Sequence, residues 1–296
     1  MGMPLGSRRP FRAYHGFGTC GVSSKTGDMA SDRTEIGMEV SRSVALVTGA
    51  SRLQGIGAAI CRVLAAQGVD VAFSHWRPYD AAFPWAGVPS EPDELEAELR
   101  QSGVRATAVE CDLSDANAPA WLLDEVERRL GPVSILVNNA AYSTHDGYEQ
   151  LNAATIDAHY AVNMRGTMLL AVEFARRFDP EVANGGRIIN LTSGQGLGPM
   201  PDELAYSATK GAIEAFTRSL APAVAPKGIT VNAVNPGPTD SGWISPQLRE
   251  KLLPLFPMGR VGAPEDAARL IAWLAGPESA WVTGQVIHSE GGFLHA

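Results

Sequence analysis

Cysteine is scarce in this chain of 296 residues: only Cys20, Cys61 and Cys111 occur. Their number is odd and no pair has metal-ligand spacing, which argues against a disulfide framework or a thiolate metal site. Cys61 and Cys111 fall in apolar patterns and read as buried thiols of a reducing compartment. Long apolar runs are also missing, and none approaches the ~20 residues that a membrane-spanning helix requires. Positive charge is in short supply, with 24 Lys and Arg against 32 Asp and Glu and a formal charge of −8. That balance argues against nucleic acid or an anionic membrane as the main partner. No apolar stretch follows Arg8-Arg9, so a secretory signal is not expected. The expected location is cytoplasmic.

What is present is an ordinary globular composition, 45% apolar and 19% charged, enough for one large α/β domain or two small ones. Residues 1–40 differ from the rest. They are rich in Gly, Ser, Arg and Thr and carry no sustained apolar period. A transit peptide is one reading, weakened by Asp28, Asp32 and Glu35. A disordered extension, or an upstream start with Met38 as the natural beginning, is the other. Residues 41–296 show no linker and read as a single domain.

From Val44 onward, short β-branched runs alternate with longer helical patterns. Strands are expected at Val44–Thr48, Val71–Ser74, Thr107–Cys111, Ile135–Val137, Arg187–Leu191, Thr230–Val234 and Gln285–Ile287. Helices are expected at Ile56–Gln67, Glu94–Gln101, Ala118–Leu130, Ala153–Phe178, Ala205–Val224 and Pro264–Ala275. Apolar strands separated by helices imply a doubly wound Rossmann fold: a seven-stranded parallel sheet with helices on both faces. Two stretches interrupt the rhythm. His75–Pro92 carries four prolines among aromatics and reads as a surface loop, too proline-rich for helix or strand. Residues 236–260 follow the sixth strand and read as a lid with a short helix near Pro246–Leu253.

The segment Thr48-Gly-Ala-Ser-Arg-Leu-Gln-Gly-Ile-Gly57 lies between the first strand and the first helix, where a dinucleotide fingerprint belongs. Gly49 allows the tight turn, Gly55 the approach of a pyrophosphate, and Gly57 close helix–strand packing. Ser51, Arg52 and Ile56 complete the cradle, and the helix N-terminus adds free N–H groups and a positive dipole end. NAD sites usually place an acid at the end of the second strand. Here that strand ends Ser74-His75-Trp76-Arg77, with no acid before Asp80. Arg52 and Arg77 could pair with a 2′-phosphate, so NADP(H) is the expected cofactor and NAD(H) the alternative.

Tyr206 and Lys210, at i and i+4, share one face of a helix, with Ser193 upstream. A neighbouring ammonium favours the phenolate and should lower the Tyr206 pKa, so that it can exchange a proton near neutral pH. A Ser hydroxyl can hold the oxygen that receives that proton. The spacing alone also fits an amphipathic helix with a solvated lysine.

These pieces together resemble the short-chain dehydrogenase/reductase family over about residues 41–296. The resemblance rests on the glycine loop, Cys111-Asp112-Leu113, Asn138-Asn139-Ala140-Ala141, Asn163, Ser193, Tyr206, Lys210, Asn235-Pro236-Gly237, Thr283-Gly284 and Glu290-Gly291-Gly292. It implies that Tyr206 is the acid/base, Ser193 the partner of the carbonyl oxygen, and Lys210 the group that lowers the Tyr pKa and binds the nicotinamide ribose. Asn163 would kink its helix and hold a relay water. Asp112, with Leu113 beside it, would contact adenine, and Asn139 the adenosine side, while Asn138 ties strands together. Pro236, Gly237 and Thr239 would meet the nicotinamide. Three departures stand out. Five residues rather than three separate Gly49 from Gly55, which shifts the phosphate contacts. Ala141 replaces a glycine, and the insert after the second strand is long and could alter the adenosine end.

The resemblance implies hydride transfer between nicotinamide and a carbonyl carbon, and is greatest to 3-oxoacyl-acyl carrier protein reductases. An acidic carrier would need a basic face, for which Arg176, Arg177, Arg187 and Lys227 are the candidates. A sugar or small secondary alcohol is the alternative substrate, and a non-catalytic dinucleotide sensor the alternative class. Trp243 and Phe256 could border an apolar pocket. Paired helices 153–178 and 205–224, with Ala212, Ala215 and Ala221, would give a homotetramer or homodimer.

Overall fold

Seven runs form one sheet whose central strands are buried on both faces, where β-branched side chains pack well. In the computed structural model, which describes residues 42–183 and 185–295, these are β1 Val44–Val47, β2 Asp70–His75, β3 Ala106–Glu110, β4 Ile135–Asn138, β5 Gly186–Leu191, β6 Ile229–Asn235 and β7 Val286–His288. The expected extension over residues 1–40, Cys20 included, lies outside the described residues. The strands are all parallel, in the order β3-β2-β1-β4-β5-β6-β7. Chain order reverses between β1 and β4, so a crevice opens at the carboxyl ends of the strands there.

The period-two alternation along β1 divides the core. Ala45 and Val47 join Ile60 and Leu64 of α1 (Ile56–Ala66) on one face. Val44 and Leu46 join the opposite face. Each fully buried leucine contributes roughly 2 kcal/mol.

The stretch after β2 corrects the sequence expectation. It holds a short helix, α2 Arg77–Asp80, and α3 Glu91–Gln101 begins earlier than expected. Pro78 and Pro92 fall in the first turns of these helices, where a missing N–H costs little. Next come α4 Ala118–Leu130 and a single turn, α5 Gly147–Gln150. The expected helix 153–178 is α6 Ala153–His159, a π-helical segment Tyr160–Gly166, and α7 Thr167–Arg177. Asn163 sits inside the π segment, the wide-turn irregularity that bends helices. Then follow α8 Leu204–Val224, α9 Pro246–Leu252 in the lid, and α10 Pro264–Ala275.

Candidate active site

The segments singled out from sequence converge at the carboxyl ends of the strands. Gly49 follows β1, Asp112 follows β3, Asn139 follows β4, Ser193 follows β5 and Pro236 follows β6. Four features place Tyr206 and Lys210 among them. The first is the start of α8. Its first turn has no capping side chain of its own. Instead Asp146, buried in the loop after β4, accepts hydrogen bonds from Leu204 N (2.8 Å) and Ala205 N (2.9 Å). Burial alone would raise the Asp146 pKa, but those N–H groups offset this and hold its carboxyl below the usual range.

The second is the π segment. Asn163, 2% exposed, donates from Nδ2 to Tyr142 O (2.8 Å) and to Thr209 Oγ1 (3.0 Å), and its Oδ1 accepts from Tyr142 N (2.7 Å). Thr209 in turn donates to Tyr206 O at 2.7 Å. Both Asn163 amide hydrogens are therefore engaged, and its side chain locks the loop after β4 to α8.

The third is Lys210. It is buried, and its Nζ donates to Leu191 O at 2.8 Å and lies 5.4 Å from the Tyr206 ring centroid. Burial lowers its pKa to about 8. The fourth is Tyr206 itself, half-buried, with the Ser193 side chain close enough to favour its ionised form. Burial pushes its phenol well above the ordinary range, Glu203 and Tyr79 add to the rise, and Ser193 offsets only part of it. This direction is opposite to the lowering expected from Lys210. The ammonium is aimed at the Leu191 carbonyl rather than at the phenol oxygen, so desolvation dominates. Such a phenol stays protonated at neutral pH and is suited to donating a proton.

At the other rim the glycine loop is tightly built. A methyl on Gly49, whose φ is +74°, would meet Ala140 Cα at 2.6 Å, and one on Gly57 would meet Gly49 O at 2.6 Å. Asn139 donates from Nδ2 to Thr48 O and Gly49 O, both at 2.8 Å, so its side chain shapes the loop instead of reaching toward adenosine. The lengthened loop is pinned from outside at Leu53, whose N donates to Glu91 Oε2 (2.7 Å) and whose O accepts from Arg62 (2.7 Å). α1 starts after Gly55 with no side-chain cap and no acid in its first turn, so its N–H groups can take an anion. Ile56 opens that turn. The close backbone packing and the uncapped helix end fit a dinucleotide pyrophosphate.

Arg52 and Arg77 meet around buried Ser51. Arg52 donates to Ser241 O (2.8 Å) and pairs with Asp80 at 3.5 Å. Arg77 donates to Ala86 O (2.8 Å) and Ser51 O (3.4 Å). Asp80 is buried, and burial raises its pKa although Ser51 and Arg52 act to lower it. The insert reaches further than the adenosine end, because Tyr79 of α2 accepts from Ser143 N at 3.1 Å and packs 5.4 Å from the Tyr142 ring. Asp112 caps its own turn through Ser114 N (2.8 Å), and Leu113 O lies close to Gly166. Gly237 has φ +63°, Pro236 O accepts from Thr239 Oγ1 at 3.1 Å, and Trp243 donates to Thr239 O at 2.7 Å. Ala141 carries no strain, since no non-glycine among the described residues has positive φ.

Several expectations outside this centre change. Phe256 is buried in a lid cluster with Ile244 and Val261, so it supports the lid from within. The four basic candidates for carrier docking are engaged: Arg177 with Glu173, Asp124 and Glu127, Arg176 with Glu173, Arg187 with Gly186 O, and Lys227 with Ala175 O. Ala221 faces the core. A cavity of about 340 Å³ lies between Leu53–Gly55, Asp240 and Val261–Glu265, beside the glycine loop rather than over Tyr206. Sequence reasoning missed Asp146, Thr209, Tyr79 and the chain's C-terminal residues. Only Asp146 had a local signal, an acid shortly after the Asn138-Asn139 motif.

A family model described as enoyl-(acyl carrier protein) reductase matches residues 49–294. Over 251 residues the chain is 56% identical to the uncharacterized oxidoreductase YjdA of Bacillus subtilis, covering 85% of this chain and 96% of that protein. It is 32% identical over 255 residues to the 3-oxoacyl-[acyl-carrier-protein] reductase FabG of Staphylococcus aureus, covering 84% and 96%. A blue fluorescent protein from a metagenomic library, solved in complex with NADPH, matches with a TM-score of 0.75 at 32% identity, covering 85% and 97%.

Proposed function

This chain belongs to the short-chain dehydrogenase/reductase family of oxidoreductases, and on that premise we propose that it reduces a small ketone to a secondary alcohol with NADP(H), through Asn163, Ser193, Tyr206 and Lys210. The observation that carries this reading is the gathering of Ser193 and Tyr206 at the crevice, with buried Lys210 placing its Nζ 5.4 Å from the Tyr206 ring centroid. The nicotinamide supplies the hydride when bound. The chain's own residues do the rest. Ser193 and Tyr206 hydrogen-bond the ketone oxygen, and Tyr206, kept protonated by burial, donates the proton to it. Lys210 keeps a positive charge under the tyrosine ring below about pH 8. Asn163 positions Tyr206 through Thr209. Gly49, Ser51, Gly55, Ile56 and Gly57 hold the pyrophosphate side, Asp112 and Leu113 the adenine, and Pro236, Gly237 and Thr239 the nicotinamide. Arg52 and Arg77 hold a 2′-phosphate, which favours NADP(H).

The substrate is a free carbonyl compound, of the 3-oxoacyl ester or thioester type, rather than a carrier-bound one. The engaged state of Arg176, Arg177, Arg187 and Lys227 supports this. Exposed Ile156, Tyr160 and Leu169 along the α6–α7 helix support a homodimer or homotetramer. Residues 41–296, with the 236–260 lid, act as one catalytic domain. The experiment is NADPH and NADH oxidation with simple ketones, 3-oxo esters and acetoacetyl thioesters. NADPH-dependent turnover of a 3-oxo compound is expected. Tight NADPH binding without turnover across the panel would assign the chain to non-catalytic sensing instead.

A further inference from the structure

We propose that His295 is a positioning residue for the loop that carries Ser193, acting through a C-terminal hook formed by Glu290–His295. The proposal rests on the reductase reading above, because only there does the placement of Ser193 set a rate.

The Ser193 loop runs Gly194-Gln-Gly-Leu-Gly198, three glycines in five residues. Such a segment has little side-chain packing of its own and a large backbone entropy to lose on ordering. His295 takes the space those side chains would fill. A methyl on Gly194 would meet His295 Cε1 at 2.7 Å, and one on Gly198 would meet His295 Cβ at 2.8 Å. The imidazole is itself held in place. His295 Nε2 lies 3.1 Å from Glu290 Oε2, and the two side chains are only 16% and 11% exposed. The same Glu290 oxygen accepts from Asn235 Nδ2 at 2.8 Å, and Asn235 Oδ1 accepts from Gly237 N at 2.9 Å. A methyl on Gly237 would meet Glu290 Cβ at 2.5 Å, so this turn and the hook are in van der Waals contact. On the lid side, Leu294 N donates to Leu255 O at 2.9 Å, and Phe293 packs between Phe256 (4.9 Å) and the His295 ring (5.0 Å, edge-on). The hook therefore joins three segments of the crevice: the Ser193 loop, the Asn235–Gly237 turn and the lid. A largely buried His–Glu pair resists displacement better than an exposed one.

Two measurements on the full chain test this. The first is amide hydrogen exchange across residues 193–198, where Leu197 N and Gly198 N both donate to Gly194 O. His295→Ala should speed exchange there by about tenfold or more while leaving β1 unchanged. Unchanged exchange in this segment overturns the proposal, whatever the activity.

The second is steady-state reduction of ethyl acetoacetate with NADPH. His295→Ala should lower kcat about tenfold, the scale of a small misplacement of a reacting group, with the KM for NADPH within about twofold. His295→Gln, which can still donate to Glu290, should recover most of the loss. Gly194→Ala should cost about as much as His295→Ala alone, and nothing further when combined with it, because the added methyl then enters vacated space. A raised KM with kcat intact, a Gln variant no better than Ala, or additive losses would each overturn it. No turnover by the unsubstituted protein would sink the reductase reading, and the exchange measurement would still decide whether the hook holds the loop.

Discussion

On the α8 side of the crevice, Asn163, Thr209 and Lys210 are buried, and each directs its polar atoms to backbone groups or another buried side chain. On the glycine-loop side, Arg52 and Arg77 reach from half-buried positions to carbonyls of Ala86, Ser51 and Ser241 in irregular segments. The first arrangement is fixed by packed helices and strands, so losing one partner leaves a buried polar group unsatisfied. The second depends on long side chains that can exchange one carbonyl for another at little cost. The difference suggests a rigid chemical end facing an adjustable cofactor rim, and it can be tested variant by variant.

The largest contrast should come from Asn163→Ala. It strands Tyr142 N and Tyr142 O, and should cost about 3 kcal/mol of stability by denaturant unfolding. A loss below ~1 kcal/mol would mean that the π segment is held by packing alone. Next is the joint variant Arg52→Ala with Arg77→Ala. It should reduce the preference for NADPH over NADH by about thirtyfold or more in kcat/KM. If NADH is preferred before substitution, Asp80 rather than the arginines reads the ribose. The smallest effect is the pH response. Lys210 has its pKa lowered to about 8 by burial, so it is charged below that pH and loses its proton above it. Ketone reduction should therefore decline as pH rises through about 8. A rate flat to pH 10, near the usual lysine range, would show that the ammonium charge does not assist the step.

How much was legible in sequence follows the same division. The strand runs such as Val44–Val47 and the spacing of Tyr206 and Lys210 are local patterns, and both were readable to within a residue or two. The protonation of Tyr206 was not, because its pKa is set by desolvation and by where the ammonium points, neither of which spacing encodes. For Asn139 the motif identified its place, but not that its amide turns back onto Thr48 and Gly49. The stretch after β2 hid α2, since prolines in a first helical turn look like breakers. Its contact from Tyr79 to Ser143, 64 residues away, has no local signature. Nor has the contact of His295 with Gly194.

The most direct test is NADPH oxidation with a 3-oxo ester by the unsubstituted protein and by Tyr206→Phe, beside NADPH affinity for both. The account predicts that the variant loses about a thousandfold or more in kcat and binds NADPH within about twofold of the original. Comparable turnover by the variant, or loss of cofactor binding in step with turnover, would contradict it.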